Sequence, residues 1–476
     1  MLYEPLLFEI STPGRVAVAL PDLDVPEAPL PTEFLRREEP NLPELSELDV
    51  ARHFVRLSQK NYSVDSVFYP LGSCTMKYNP KVNEAAAAKP KFTATHPLQP
   101  EETVQGNLQL MFELQELLKE ISGFAGVCLQ PAAGAHGEFS GVLTMRAYHL
   151  SRGDTKRTKM LIPDSAHGTN PASSAMSGFT VQEIPSDARG NIDLDALKAA
   201  CDDTVVGLMI TNPNTLGLFE EHIEAVVQTV HDCGGLVYGD GANLNALMGI
   251  VRPGDLGFDV MHFNLHKTFS TPHGGGGPGS GPIGVSKALA PFMPGPIVEK
   301  DGDAYKLVTP EQSVGAVKAF YGNFGVMVRA YTYIRMMGAE GLRAVSENAV
   351  LNANYMRVKL QDTYHVPFNR VCMHEFVAEG NIAEGIHTMD IAKRLIDFGY
   401  HPPTVYFPLI VHEALMIEPT ETESKETMDG FIEALHKIAE EAKTNPDLLH
   451  TAPHTTELGR LDEVQAARHP VLKYQG

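Results

Sequence analysis

The sequence predicts an α/β protein, with a mainly parallel sheet in a large domain and a smaller C-terminal α+β domain. Three observations carry that expectation. From Val127 to Leu265 short apolar runs alternate with loops and amphipathic segments, the pattern of strands joined by crossover helices. Two of those runs lead to polar residues 27 positions apart, Asp240 and Lys267, which places both at strand exits. Beyond Gly338 the order changes to helix, strand, helix, strand, helix, which reads as a separate lobe. At 476 residues the chain also exceeds the size at which a single core stops growing. The expected division is residues 1–100 as an N-terminal arm and extension, 101–337 as the large domain, and 338–476 as the small domain and tail.

Taken in order, residues 1–60 are rich in Pro and Glu and read as an extended arm followed by a short helix. Such an arm would drape over a partner or a neighbouring lobe. Tyr69 to Pro80 is turn-rich, with no core periodicity. Thr103 to Ile121 has helical spacing of its apolar residues. Strands are expected at Val127–Gln130, Lys159–Pro163, Val181–Ile184, Val205–Thr211, Leu236–Tyr238 and Val260–Leu265, with helices between them. Residues 274–284 hold so many glycines that they read as a mobile loop, too flexible for a strand. In the second lobe the expected elements are a helix from Gly338 to Leu360, then 374–378, 387–398, 409–417 and 424–444.

Composition narrows the function. A formal charge of -21 would repel nucleic acid and anionic membranes, so neither is an expected partner. The N-terminus lacks a basic stretch followed by an apolar core, and no apolar run is long enough to span a bilayer. Five cysteines at 74, 128, 201, 233 and 372 form no C-x-x-C pair. A cytoplasmic protein acting on small molecules is expected, with reduced thiols.

In an open α/β sheet, ligands bind at the carboxyl ends of the strands. An acid and an amine delivered there make a reaction centre. A lysine can form a Schiff base with an aldehyde cofactor, and pyridoxal phosphate requires a carboxylate against its pyridinium nitrogen; Asp240 and Lys267 supply that pair. The same edge would gather Gly134, Ala135 and His136 at a helix start suited to a phosphate. His167 would stack on the ring, and Asn212 would hydrogen-bond its 3-hydroxyl oxygen. A metal is the rival use of His262, His266 and His273. No carboxylate completes a metal-binding motif with them, so no metal is expected.

The segments YPLGSCTMKYNP (69–80), QPAAGAHGE (130–138), DSAHGTNPASS (164–174), ITNPNTLGLFE (210–220), YGDGANLNA (238–246) and NLHKTFSTPHGGGGPGSGPIGV (264–285) resemble the P-protein of the glycine cleavage system, glycine decarboxylase. The resemblance implies the fold of type I pyridoxal-phosphate enzymes, with the cofactor held covalently at Lys267 beside His266. Single-chain P-proteins are about twice as long, in two similar halves. This chain resembles the C-terminal half, and so subunit 2 of the two-subunit bacterial form.

The resemblance implies an enzyme that decarboxylates glycine and passes the aminomethyl group to the lipoyl disulfide of H-protein. Its catalytic residues would be Lys267, Asp240 and His167. A homologous subunit 1, with two copies of each, is the implied partner assembly. Another type I enzyme, an amino-acid decarboxylase or a desulfurase, would share the Asp-to-Lys spacing without needing the SCTMKYNP and HGGGGPG segments. A non-catalytic subunit would not need Asp240 and Lys267.

Overall fold

The computed structural model describes residues 4–274 and 279–473. Seven strands form the main sheet: β1 (Gly126–Cys128), β2 (Lys159–Pro163), β3 (Thr180–Ile184), β4 (Val205–Thr211), β5 (Leu236–Asp240), β6 (Val260–His262) and β7 (Ile283–Val285). Their order is β1-β7-β6-β5-β4-β2-β3. β2 to β6 pair in parallel, while β7 runs antiparallel to both β6 and β1. The central strands are buried on both faces, as a sheet covered by crossover helices requires. Side chains of β4 accordingly serve two cores, Val205, Leu208 and Ile210 packing into one and Val206 and Met209 into the other, with the alternation shifted by one residue at the irregularity where β2 pairs Lys159 with Val205 but Met160 with Gly207.

Three departures from the expected elements bear on function. First, the strand leading to the lysine ends at His262, and Leu265–Thr268 is a single helical turn closed by bonds from Lys267 N and Thr268 N to Asn264 O. Second, the far end of the glycine run is a strand after all. β7 is imposed by hydrogen-bonding neighbours on both sides, and Gly284 leaves room for the Phe124 ring, which a Cβ would meet at 2.7 Å. The centre of that run, residues 275–278, lies outside the described residues. Third, the long helical run begins at Phe324, not Gly338, and continues to Leu360; Gly338, at φ 63° and ψ -176°, breaks it in the middle. A hairpin of β8 (Ile297–Asp301) and β9 (Ala304–Val308) has no counterpart among the expected elements.

The second lobe holds a three-stranded antiparallel sheet of β10 (Phe376–Glu379), β11 (Thr404–Val405) and β12 (Ala414–Ile417), ordered β10-β12-β11. Helices Thr388–Asp397 and Lys425–Thr444 cover it, the second capped by the Ser424 side chain. Its core also takes in Phe68, Leu216 and Leu218 from the other lobe's side of the sequence. Glu4 pairs with Arg56 and His53, which ties it to the helix Glu47–Gln59. Between them residues 13–42 are exposed, Leu20 and Phe34 by 87% and 76%. No helix among the described residues is long and apolar enough to cross a membrane.

Candidate active site

The exits of β1, β2, β4, β5 and β6 converge on one edge of the sheet around a cavity of about 320 Å³. Lys267, Asp240, His167, Gly134, Ala135 and His266 all line it. His136 and Asn212 do not.

Asp240 ends β5 and is 5% exposed. Its Oδ2 accepts a bond from Asn170 Nδ2 at 3.0 Å, its Oδ1 accepts from Ala242 N at 2.9 Å, and His262 Nε2 lies 3.4 Å from Oδ1. Burial alone would push this carboxyl up. The His262 ring, the Asn170 amide, the Ala242 N–H and the nearby Lys267 outweigh burial and hold it below the usual carboxylate range. His262 is itself fixed by Tyr238, whose hydroxyl lies 2.8 Å from Nδ1.

Lys267 projects from the helical turn after β6, and its Nζ donates to Ser73 O at 2.8 Å. This brings residues 69–80, outwardly a plain loop, into the site as a strap. Ser73 and Thr75 lie in the left-handed region at φ 63° and 49°, a conformation that costs a non-glycine residue energy and persists only when surrounding bonds enforce it. Lys77 of the same strap is buried, paired with Glu421 at 2.7 Å and bonded to Thr268 O at 3.0 Å. His266 packs edge-on against His273 with centroids 5.0 Å apart, and burial followed by the neighbouring His273 and Lys267 pushes it down to about 3. It is therefore a neutral ring, held by the Ser280 backbone.

The helix Gly134–Ser151 starts at the cavity wall, and its first-turn N–H groups have no intrahelical acceptor. Gly134 is required there, since a Cβ would lie 2.5 Å from Asn264 Oδ1. His136 Nδ1 instead accepts from Ala132 N at 3.1 Å, so its ring braces the loop and only its backbone belongs to the helix start. His167 is exposed on the other wall, its ring edge-on to Phe407 and its Nδ1 2.8 Å from Thr169 Oγ1. Asn212 turns into its own exit loop, where Oδ1 accepts from Glu220 N at 3.1 Å. β4 offers the cavity Thr211, whose Oγ1 is buried and has no hydrogen-bond partner among the described residues.

Residues missed by sequence reasoning are Asn170, Thr211, His262 as a partner of Asp240, and the strap itself. Asn170 lies within the DSAHGTNPASS segment; nothing local to Thr211 signals its role. Glu138, Asp240 and His262 bring metal-ligand types within 4.8 Å of one another, but Glu138 already accepts from Thr169 and Ser173, and Asp240 from Asn170 and Ala242.

An acid held anionic, a lysine one helical turn beyond the neighbouring strand, a helix start and an unpartnered Thr211 hydroxyl are the donor set that pyridoxal phosphate needs. Fold and site together define a type I pyridoxal-phosphate-dependent enzyme. The family described as aminotransferase class-V matches residues 143–277, and that described as glycine dehydrogenase, C-terminal domain, matches residues 345–454. A probable glycine dehydrogenase (decarboxylating) subunit 2 of Caldanaerobacter subterraneus subsp. tengcongensis is 62% identical, with 99% of each chain covered. That of Alkaliphilus oremlandii is 59% identical over the same shares. A crystal structure of glycine decarboxylase (P-protein) of the glycine cleavage system, in inhibitor-bound form, superposes with a TM-score of 0.73 at 22% identity, covering 86% of this chain and 93% of that one. The chain belongs to the glycine dehydrogenase (decarboxylating) subunit 2 family.

Proposed function

We propose that this chain is the cofactor-carrying subunit of glycine decarboxylase, with pyridoxal phosphate attached covalently at Lys267. The carboxyl group of glycine leaves as carbon dioxide. The CH2–NH2 group goes to one sulfur of the lipoyl disulfide of H-protein and the other sulfur becomes a thiol, so the disulfide is the oxidant. The observation that carries the reading is the meeting of Lys267 and Asp240 on one cavity wall with the start of the helix Gly134–Ser151.

When bound, the cofactor supplies the electron sink for the pair released with carbon dioxide. Around it the backbone of Gly134 and Ala135 binds the phosphate, with the helix dipole favouring that charge. Asp240, kept anionic by its donors, would pair with the ring nitrogen and favour its protonated form. His167 would hold the ring and Thr211 Oγ1 would bond its 3-hydroxyl oxygen, the part sequence reasoning gave to Asn212. Lys267 moves protons at its Nζ during binding and release. The neutral His266 and His273 crowd the lysine side of the cavity without adding charge.

The partner is a homologous subunit 1, two copies of each in the assembly, in the cytoplasm. Supporting this is the exposed arm: Val16, Val18, Leu20, Leu23, Val25 and Phe34 stand in solvent. An obligate interface covering them would bury on the order of 2,000 Å² or more. Of the three-part division at 100 and 337, the boundary at 337 is supported by the break at Gly338 and by the separate second core, whereas Ala87 and Phe68 of the first part pack into the two cores.

The test is exchange of labelled carbon dioxide into glycine with lipoylated carrier, with and without the homologous subunit. We expect exchange only with both. Full exchange by this chain alone overturns the two-subunit reading, and none with the partner overturns glycine as substrate.

A further inference from the structure

Behind the strap, on the side away from the cavity, lies a group of buried side chains that the reaction does not use. His374, Glu375 and Glu418 are each 0% exposed and bring ligand-type atoms within 4.8 Å of one another. Glu375 Oε2 accepts from Ser73 N at 2.6 Å, and Glu418 accepts from Thr75 N at 2.9 Å and Thr75 Oγ1 at 2.6 Å. Among the described residues Glu375 Oε1 and both nitrogens of His374 have no hydrogen-bond partner, although His374 Nε2 is 3.6 Å from that oxygen. The opposite end of the Ser73 residue is the carbonyl that receives Lys267 Nζ. A buried acid from the small lobe and the lysine of the large domain therefore grip the same residue from its N–H and C=O ends.

Two carboxyls this close and this dry cannot both ionise, because each charge raises the cost of the other. Burial and then Glu418 push Glu375 well up; burial pushes Glu418 up to about 7, against the Thr75 bonds. Burial, then Lys267, pushes His374 down to about 3, so the imidazole adds no positive charge. The other titratable groups facing the pair are Cys74 and Cys372, both raised by burial and so thiols, and Glu421, which Lys77 already pairs. The free cation facing the pair, among the described residues, is Lys267. Position explains the arrangement: Glu375 precedes β10 and Glu418 follows β12, so the carboxyls rise from adjacent strand ends of the small sheet. Gly217, at φ 76°, lets the β4 exit loop pack on Glu375, whose carbonyl oxygen would lie 1.9 Å from a Cβ there.

We propose that Glu375 and Glu418 are positioning residues that share one proton, and that the single negative charge they hold beneath the Ser73 peptide aligns Lys267 and keeps a proton on its linkage to the cofactor. This rests on Lys267 being the cofactor lysine. Because the proton is shared, removing either carboxyl leaves the other to carry the charge; only removing both abolishes it. The two substitutions are then strongly non-additive, a signature that a purely structural role for either residue does not produce.

The experiment is a pH titration of the visible absorption of the cofactor-loaded protein, for wild type, E375Q, E418Q and the double variant. Glutamine keeps the shape and can still accept from Ser73 or Thr75. We expect each single variant to leave the midpoint within about 0.3 pH unit and the double variant to lower it by about one unit. Infrared spectra of the cofactor-free protein at pH 8 provide a second reading: a protonated-carboxyl C=O band in wild type that is absent from each single variant. Should the double variant not fold, the single variants still decide the matter. A single variant that moves the midpoint by a unit, or one that retains the band, overturns the shared proton. So does a stoichiometric divalent metal in the purified protein that E375Q removes. Borohydride trapping of the cofactor on Lys267 is run alongside; its failure refutes the cofactor lysine and not the pair.

Discussion

Two acidic sites flank Lys267, and they differ in almost everything but burial. Asp240, on the large-domain side, faces an amide, a backbone N–H and a histidine ring, and is held below the usual carboxylate range. Glu375 and Glu418, on the small-lobe side, face each other, and both are raised. Desolvation works against the charge at every one of these residues. On the large-domain side the histidine ring and the donors outweigh burial; on the small-lobe side burial prevails, with Glu418 adding to it at Glu375 and with the Thr75 bonds failing to offset it at Glu418. Burial by itself therefore says nothing about whether an acid in this site is charged.

The most severe way to break the comparison is to remove what lies between the two sites. Lys267→Ala should abolish covalent attachment entirely while leaving the fold intact, since the side chain makes one hydrogen bond among the described residues and lies at the cavity wall. A borohydride-reducible adduct in that variant would show the cofactor lysine to be another residue. Next in size, Asp240→Asn should bind cofactor yet lose exchange by about 10²-fold or more, the scale of losing a positioned charge. Near-normal exchange would mean that a different acid holds the ring proton.

The two sites should also respond to pH with opposite sign. A carboxyl lowered by folding contributes stability above its unfolded value, so the Asp240 contribution is lost as pH falls below the ordinary aspartate value of 3.8. The raised pair behaves the other way. Its folded form retains protons that the unfolded chain releases near 4.5: Glu418 loses its own as pH rises through about 7 and Glu375, raised well above its usual value, keeps its own beyond that, so stability declines from about 4.5 upward through 7. We expect a decline on the order of 3 kcal/mol, removed in E375Q/E418Q, in urea unfolding at pH 5 and pH 8. A slope that persists in the double variant would assign it elsewhere, Glu423 being the first candidate, since burial also raises it to about 7. The smallest effect is expected for Asn170→Ala, which takes one donor from Asp240 and should cost about 1–3 kcal/mol at neutral pH. Unchanged stability would show that His262 and Ala242 suffice.

Local pattern determined the parallel core and the strand-exit residues of this protein. Runs such as VVGLMIT and LVYGD are apolar enough to be buried on both faces, and a strand that ends in Asp240 must deliver it to the sheet edge whatever surrounds it. The same reasoning placed Lys267, Gly134, Ala135, His167 and His266 together, because connectivity alone sends parallel strand exits to one side. Which way a side chain turns after the exit was decided by tertiary structure. Asn212 and His136 satisfy nearby backbone groups instead of facing the cavity, and Thr211 takes the place left open. β7 was illegible for a related reason: glycine has no intrinsic strand preference, and its partners β1 and β6 impose the conformation. The strap and the pair beneath it lay furthest from view. Ser73 and Glu375 are 302 residues apart, and Thr75 and Glu418 are 343 apart, so no periodicity could join them. Only the docking of the small lobe on the large domain removes water from both carboxyls at once, and that desolvation is what gives them their chemistry.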